Sequence, residues 1–468
     1  MDRKGQSAMG LKSHAPRRLS VSWPPRFLHW PRIHSMHTLD DLKAGRLAGV
    51  TRLNLQCGLE QFPQEIFDLA DSLEILNLTG NRLSELPDDL DRLYKLRVLF
   101  CSDNRFTRLP ESVGRCPALE VVGFKSNRIE QVSPAALPRR LRALILTDNC
   151  ISALPEALGD CPELQKLMLA GNRLHELPQR LARCQKLELL RIAANQLQTL
   201  PDWLLHLPRL AWLAYAGNPL PPAYCAPEDA GHCPRIDWQH INLTHVLGQG
   251  ASGVIYQANW QQQDAPVAVK LYKGQMTSDG SPLNEMHACI AAGDHPQLVR
   301  LAGRIDNHPD QLPALVMQLI DPHWFNLAGP PTLEACTRDT YASERRLSLA
   351  AVKRLACAIA SVGEHLHHHG IAHGDLYAHN ILCDEQGQCL LGDFGAASFY
   401  AQDDSPTAAA LQRIEVLAFG VLLGELLDCC DDDCDALRLL QRRCLQPQVP
   451  LRPAFAQISR QLQLIATP

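Results

Sequence analysis

The feature that most constrains this sequence is a series of seven asparagines that recur at nearly constant intervals. Successive members are separated by 23, 23, 22, 23, 23 and 23 residues. They are Asn81, Asn104, Asn127, Asn149, Asn172, Asn195 and Asn218. Around them stands the pattern L-x-x-L-x-L-x-x-N-x-L, whose leucine spacing does not follow the 3.6-residue period of a helix. A repeat of this length predicts a solenoid in which each unit packs on its neighbours.

The short L-x-L segment of each repeat predicts a strand that stacks in parallel on the next one. The leucines fill a shared core, and each asparagine side chain can hydrogen-bond the turn backbone of adjacent repeats. The pattern resembles the leucine-rich repeat family, and the resemblance implies an α/β solenoid with parallel strands on its concave face. The turn from Leu53 to Pro63 lacks the asparagine, as expected of a capping repeat.

The strand positions that face the concave side carry large apolar side chains and three basic ones, without an acid. An exposed apolar strip on a rigid solenoid is a candidate partner surface. We predict that a protein substrate or regulator binds there. The alternatives are ordinary variation or a contact with the rest of the same chain. The predicted partner-binding residues are Phe100, Lys125, Lys166, Met168, Arg191 and Trp212.

Composition excludes several classes of partner. The net charge of −5 predicts no binding to nucleic acid or to an anionic membrane surface. The longest apolar stretches are shorter than the eighteen residues that a membrane span needs, so we predict no membrane segment. The 17 cysteines are an odd number scattered along the chain, which favours free thiols in the reducing cytoplasm. The oligomeric state cannot be read from this sequence.

The chain divides into four parts. Residues 1–37 form a basic tail rich in proline, arginine and serine, which we predict to be disordered. The repeats occupy residues 38–220, and a proline-rich linker follows at 221–235. Residues 236–468 form a second domain with a different composition.

The second domain begins with the glycine pattern G-x-G-x-x-G-x-V. Gly248, Gly250 and Gly253 lie between Leu247 and Val254. Such glycines let backbone N–H groups approach phosphates closely. Another strand sequence follows instead of the helix that a dinucleotide-binding fold would require.

Two further groups follow in the same domain. The strand sequence V-A-V-K ends at Lys270, and Glu285 lies fifteen residues later in a stretch with helical pattern. An apolar strand sequence then runs to Met317, Gln318 and Ile320.

The segment from His373 to Gly395 carries the densest chemistry. Asp375 stands five residues before Asn380, and the tripeptide Asp-Phe-Gly begins at Asp393. One carboxylate can meet an acceptor hydroxyl, while the amide and the second carboxylate can bind a Mg²⁺ that bridges ATP phosphates.

These motifs occur in the order found in protein kinases, so the second domain resembles that family. With the repeats, the whole chain resembles a bacterial-type leucine-rich-repeat protein kinase. The resemblance implies a bilobal α+β domain with ATP and Mg²⁺ as cofactors, acting on serine or threonine rather than tyrosine. It implies that Lys270 holds the phosphates with Glu285 as its ion-pair partner, that Asp375 orients the acceptor, and that Asn380 and Asp393 bind Mg²⁺. It implies ATP contacts at Leu247, Gly248, Gly250, Gly253, Val254, Lys270, Met317, Gln318 and Ile320.

Several positions depart from the family pattern. Gly374 replaces an arginine that clamps a phosphorylated activation loop, and Tyr377 replaces a phosphate-neutralising lysine, for which His379 is the nearest substitute. Glu415 takes the place of an aspartate that anchors the catalytic loop, only 22 residues after Asp393. These departures predict activity independent of loop phosphorylation and a small platform for a peptide. A small-molecule phosphotransferase and a non-catalytic ATP-binding scaffold therefore remain alternatives.

Overall fold

The computed structural model describes residues 37–225, 233–274, 276–403 and 405–465. Apart from its last residue, the tail predicted for residues 1–37 lies outside these described residues. The same is true of residues 226–232 in the predicted linker.

The asparagine-containing repeats build one sheet of eight parallel strands in sequence order. In register, Leu53 pairs with Leu76 and Leu76 with Leu99, so the central leucine of these strands points into the same core. The strands are β1 (Arg52–Asn54), β2 (Ile75–Asn77), β3 (Val98–Phe100), β4 (Val121–Gly123), β5 (Ala143–Ile145), β6 (Lys166–Met168), β7 (Leu189–Arg191) and β8 (Trp212–Ala214).

Short helical turns return the chain between these strands. Helix α1 (Leu39–Lys43) precedes β1, and α2 (Ser112–Arg115) lies between β3 and β4. The other connections are mostly 3-10 helices, each able to close a 23-residue repeat in few residues. They span Gln64–Leu69, Leu90–Arg92, Pro134–Ala136, Glu156–Asp160, Gln179–Arg183 and Asp202–His206.

The asparagines satisfy the turn backbone as predicted. The side-chain oxygen of Asn149 accepts the N–H of Ile129 at 2.9 Å, and its amide donates to the carbonyls of Phe124 and Leu146 at 2.9 and 3.0 Å. Equivalent bonds link Asn172 to Ile151 at 3.1 Å. Because these backbone groups are buried, the asparagines supply partners that water cannot.

We expect Asn149→Ala to destabilise the repeats by about 1–3 kcal/mol, because it leaves buried backbone groups without partners. Urea denaturation followed by circular dichroism would report this as a lower midpoint. The matched control is Asn242→Ala at an exposed position of the second domain, where the midpoint should not move measurably. Equal midpoints for the two variants would contradict a structural role for the asparagine series.

The second domain has an upper lobe built on a six-stranded sheet. Its strand order is β10-β11-β12-β14-β13-β9, antiparallel except for β9, which runs parallel to β13. Helix α3 (Pro282–Ala292) follows β12. The strands are β9 (Arg235–Asp237), β10 (Ile241–Gln249), β11 (Gly253–Trp260), β12 (Val267–Tyr272), β13 (Leu301–Asp306) and β14 (Ala314–Gln318).

The lower lobe is mainly helical. Its helices are α4 (Leu349–His368), α5 (Pro406–Asp428), α6 (Asp435–Cys444) and α7 (Phe455–Leu464). Two small sheets lie beside them, formed by β15 (Phe325–Asn326), β16 (Ile371–Ala372), β17 (Ile381–Cys383), β18 (Cys389–Leu391) and β19 (Ser398–Phe399). Among the described residues, none of the helices has both the length and the apolar character needed to cross a lipid bilayer.

Candidate active site

A glycine hairpin joins β10 and β11 of the upper lobe. The N–H of Gly250 donates to the carbonyl of Gly253 at 2.9 Å, and the side of Gly250 is open. A Cβ added at Gly253 would lie 2.4 Å from the carbonyl oxygen of Leu271 on β12, so this close strand approach requires glycine. Leu247, Gly248 and Val254 lie on the same hairpin, as the motif predicted.

Below this hairpin, Lys270 on β12 forms an ion pair with Glu285 on α3. Ser281 caps α3 by accepting the N–H of Leu283, and Glu285 lies in the first turn, where a negative charge is stabilised. Burial alone would lower the pKa of Lys270, but the charges of Glu285 and Asp393 outweigh it and raise that pKa. The lysine is therefore held as a cation and lies within the field of Asp393.

Residues 373–380, which the resemblance predicts to be the catalytic loop and which keep that name below, are arranged around Asp375. The side-chain amide of Asn380 donates to the Asp375 carboxylate at 2.8 Å and to its carbonyl oxygen at 2.9 Å. Glu415 on α5 accepts the N–H of Gly374 at 2.9 Å, which is the anchor predicted for that position. Its other carboxylate oxygen is 2.8 Å from His367, and although burial opposes ionisation these hydrogen bonds keep the pKa of Glu415 low.

Asp393 lies at the turn that follows β18. Its φ of 56° is in the left-handed region, and its Oδ1 accepts the N–H of Gly395 at 3.1 Å. The residue is exposed, in contrast to the buried Phe394 beside it. The side-chain oxygen of Asn380 and the outer oxygen of Asp393 are the hard donors that a divalent cation such as Mg²⁺ prefers. These two predicted ligands thus fit such an ion chemically.

The predicted base-binding strand is β14. Met317 pairs with Ala268 of β12 and with Leu301 of β13. The N–H of Gln318 donates to the carbonyl of Arg300 at 2.9 Å, which removes it as a donor to a base. The carbonyl of Gln318 and the backbone of Ile320 stay as predicted contacts of a base.

Comparisons with known proteins agree with this geometry. A family model described as "Protein kinase domain" matches residues 241–414. Leucine-rich repeat models match residues 72–93, 117–174 and 162–220. The chain carries leucine-rich repeats followed by a protein kinase domain. Leucine-rich repeats generally mediate protein interactions.

Individual relatives match part of the chain. Cyclin-dependent kinase 11.1 of Caenorhabditis elegans is 25% identical over 242 residues, which is 50% of this chain and 32% of that protein. A probable LRR receptor-like serine/threonine-protein kinase of Arabidopsis thaliana is 25% identical over 225 residues, 42% of this chain and 35% of its own length. Human cyclin-dependent kinase 10 is 26% identical over 228 residues, which is 47% of this chain and 59% of that protein. The chain therefore spans about a third to three fifths of these relatives.

Among solved structures, a leucine-rich-repeat protein of Leptospira interrogans aligns with a TM-score of 0.32 and 30% identity. The alignment covers 36% of this chain and 50% of the other.

The repeats pack directly on the catalytic loop of the kinase domain. Arg191 of β7 donates to Asp279 at 2.6 Å, donates to the carbonyl of Gly374 at 2.9 Å, and forms an ion pair with Asp375. Its side chain is only 1% exposed. Burial opposes the charge of Asp375, but Arg191, with smaller contributions from His379, His373 and Asn380, holds the Asp375 pKa below its ordinary value.

Two aromatic residues of the repeats extend this contact. Trp212 stacks on Tyr377 with ring centroids 4.2 Å apart and planes inclined by 7°, and its indole N–H donates to the carbonyl of Leu376 at 3.2 Å. The hydroxyl of Tyr215 donates to the carbonyl of Phe399 at 3.0 Å. The repeats thus cover both the catalytic loop and the segment that follows Asp393.

A loop of the kinase domain, residues 330–340, fills the concave face further towards its N-terminal end. Cys336 packs with Val98 and Val121 of the repeats, and Phe100 lies against the same cluster. Glu188 receives hydrogen bonds from Thr337 and, at 3.2 Å, from Arg338. This loop also reaches the catalytic loop, because Asp339 binds His379.

The prediction of an exposed strip on the concave face was wrong. Met168 is 7% exposed, Arg191 and Trp212 are 1% exposed, and all three are covered by the kinase domain. Lys125 and Lys166 are partly buried, and burial lowers the pKa of Lys166. The alternative, a contact within the same chain, is what the structure shows. Strand facing was predicted correctly, but domain docking is not encoded in the repeat pattern.

Sequence reasoning also missed Asp279 and Asp339. Asp279 lies 88 residues from Arg191 in the chain, and no local motif marks either position. The available signals were Gly374 and Tyr377, where the family arginine and lysine are missing. His379, predicted to replace the missing lysine, is instead bound by Asp339, with 2.7 Å between Nδ1 and Oδ1.

The His379–Asp339 pair predicts a pH dependence. Burial would lower the pKa of His379, but Asp339 outweighs it, so the folded-state pKa is above the ordinary 6.5. The pair therefore stabilises the fold fully below pH 6.5 and loses this contribution as the pH rises through the folded-state value.

We expect the loss of stability in His379→Gln, relative to wild type, to be largest in acid and to shrink at alkaline pH. Thermal unfolding from about pH 5 to 9 would measure it. His368→Gln, at an exposed site on the same lobe, is the control and should show no such trend. A pH-independent difference for His379→Gln would contradict the charged pair.

Proposed function

We propose that this chain is an ATP-dependent protein kinase that phosphorylates serine or threonine. The observation that carries the proposal is that Lys270, paired with Glu285, faces the exposed carboxylate of Asp393, while Asn380 holds Asp375 in the same cleft. The kinase-domain match over residues 241–414 and the serine/threonine kinases among the relatives support it. The bacterial type and the cytoplasmic location remain predictions.

In this proposal the chain's own residues place the nucleotide. Open backbone at Gly250 lies over the phosphates, and Lys270 contacts the α- and β-phosphates. The base lies against Met317 and meets the carbonyl of Gln318 and the backbone of Ile320. The nucleotide is enclosed on its other side by the hairpin residues Leu247, Gly248, Gly253 and Val254.

Transfer then requires positioning rather than covalent chemistry. The acceptor oxygen forms a bond to the γ-phosphorus as the bond to the bridging oxygen of ADP breaks. Asp375 orients the acceptor hydroxyl and receives its proton. Mg²⁺ held by Asn380 and Asp393 would neutralise charge on the phosphates. Asn380 also fixes the Asp375 carboxylate through its amide.

The two acids should separate cleanly by mutation. We expect Asp393→Asn to weaken Mg²⁺-dependent ATP binding, since it removes a metal ligand. Asp375→Asn should leave ATP affinity within a few-fold and reduce transfer by roughly 10²–10⁴-fold. Calorimetry with ATP and radiolabel transfer would measure the two effects. Undiminished transfer by Asp375→Asn would contradict its assignment.

The acceptor class is tested by following label from ATP. Label on protein supports a protein kinase, label on small hydroxyl compounds supports the phosphotransferase, and label on neither supports a scaffold. Asp375→Asn is the matched control, because only transfer at this site should disappear with it.

Activity should not depend on phosphorylation of the segment after Asp393. Ser398 and Tyr400 are buried, and the Ser398 hydroxyl accepts the N–H of Tyr215 at 3.0 Å. Ser405 caps α5 by accepting the N–H of Ala408 at 3.1 Å. We expect phosphatase-treated protein and a Ser405→Asn/Thr407→Ala variant, which keeps a capping side chain, to retain initial rates within a few-fold. A large loss that ATP preincubation restores in the treated wild type would contradict this.

A partner-binding role for Phe100, Lys125, Lys166, Met168, Arg191 and Trp212 remains part of the proposal in a restricted form. Since the kinase domain covers this face, an external protein would have to displace it. Binding of a substrate or regulator would then compete with the contact inside the chain.

A further inference from the structure

The two sides of the catalytic cleft differ in their access to solvent. On the nucleotide side, Asp393 is exposed and nothing lies within 4 Å of a Cβ placed on Gly250. On the acceptor side, Tyr377 is 4% exposed beneath Trp212, and Asp375 retains 17% exposure. The repeats therefore lie over the acceptor side and leave the nucleotide side open.

The hydrogen-bonding capacity of Asp375 is engaged at both carboxylate oxygens. Oδ1 is paired with Arg191, and Oδ2 accepts the amide of Asn380 at 2.8 Å. An acceptor hydroxyl must approach this carboxylate to about 2.6–3.2 Å. Arg191 on one oxygen and Trp212 over the neighbouring Tyr377 therefore narrow the approach of a polypeptide acceptor to this carboxylate.

The contact surface has the features of a built interface. A Cβ at Gly374 would lie 2.7 Å from the carbonyl of Leu213 and 2.5 Å from that of Ala396, and its φ is 72°. The family arginine is thus missing at a position where the repeat backbone approaches closely. Arg191 meets the opposite charges of Asp279 and Asp375, so the surfaces are also complementary in charge.

We propose, resting on the proposed kinase function, that the repeats cap the acceptor side of the cleft. In this arrangement the kinase domain binds ATP but withholds Asp375 from a protein acceptor until the repeats move away. The cap is held by Arg191 and by the close packing of Ala193 on Gly280, where an added Cβ would lie 3.0 Å from the Cβ of Ala193.

Two full-length variants test the cap by independent routes. Arg191→Ala removes the ion pairs, and Ala193→Arg places a bulky side chain in the contact while keeping Arg191. Both side chains project from the concave face, so the leucine core of the repeats is unchanged. The control is Arg183→Ala, an exposed arginine of the repeats that is 3.4 Å from Asp160.

The measurements are radiolabel transfer from ATP to dephosphorylated casein, ATP affinity by calorimetry, and hydrogen exchange of residues 373–380. We expect both variants to raise casein labelling roughly tenfold or more, with faster exchange of the catalytic loop. ATP affinity should stay within about twofold of wild type. A rise with Ala193→Arg alone still supports the cap and adds a positioning role for Arg191.

The opposite results are distinct. Faster exchange with unchanged or lower labelling, in a wild type that labels casein, overturns the cap and shows that the repeats position the catalytic loop. Unchanged exchange in both variants overturns the stated contacts. Absence of labelling in every protein, with ATP bound and the loop opened, overturns the kinase function itself, and the cap falls with it.

Discussion

The arrangement of this molecule depends on one buried guanidinium. Arg191 of the repeats bonds to Asp279 of the upper lobe and to Gly374 and Asp375 of the lower lobe. A buried charge is tolerated only when its partners compensate the loss of water, and breaking such a pair costs about 3–5 kcal/mol. The same side chain therefore fixes three parts of the chain relative to one another, and none of them can move without losing it.

This interaction changes how the solenoid should be understood. Free repeats would expose Trp212, Met168 and the neighbouring strand positions, a patch of the kind that normally marks a partner surface. Here Trp212 lies in the same apolar cluster as the core of the kinase domain. Arg452 of the kinase domain adds a further hydrogen bond between the two domains, because its guanidinium donates to the carbonyl of Pro208 in the repeats at 2.8 Å. Burial lowers the pKa of Arg452 to about 10.

The sequence was most informative where structure follows from local pattern. The asparagine spacing predicted the parallel sheet and the hydrogen bonds of Asn149, and motif order predicted the pairing of Lys270 with Glu285. The prediction of an exposed concave face was wrong. The repeat pattern shows which side chains point away from the core of the repeats, but it does not show that a second domain covers them, such as the one whose Asp375 lies 184 residues after Arg191. Docking depends on the joint shape of two folded surfaces, which no periodicity records.

The sequence nevertheless contained one clue to the docking, namely two family residues that it lacks. Gly374 and Tyr377 depart from the family pattern at two positions that both face the repeats, one beside Leu213 and Arg191, the other beneath Trp212. An arginine at 374 would collide with the repeat backbone, and a lysine at 377 would put a second cation near Arg191. The substitutions therefore remove a steric and an electrostatic obstacle to the same contact. Departures from a motif that cluster in space can thus indicate where another part of the chain has taken over the surface.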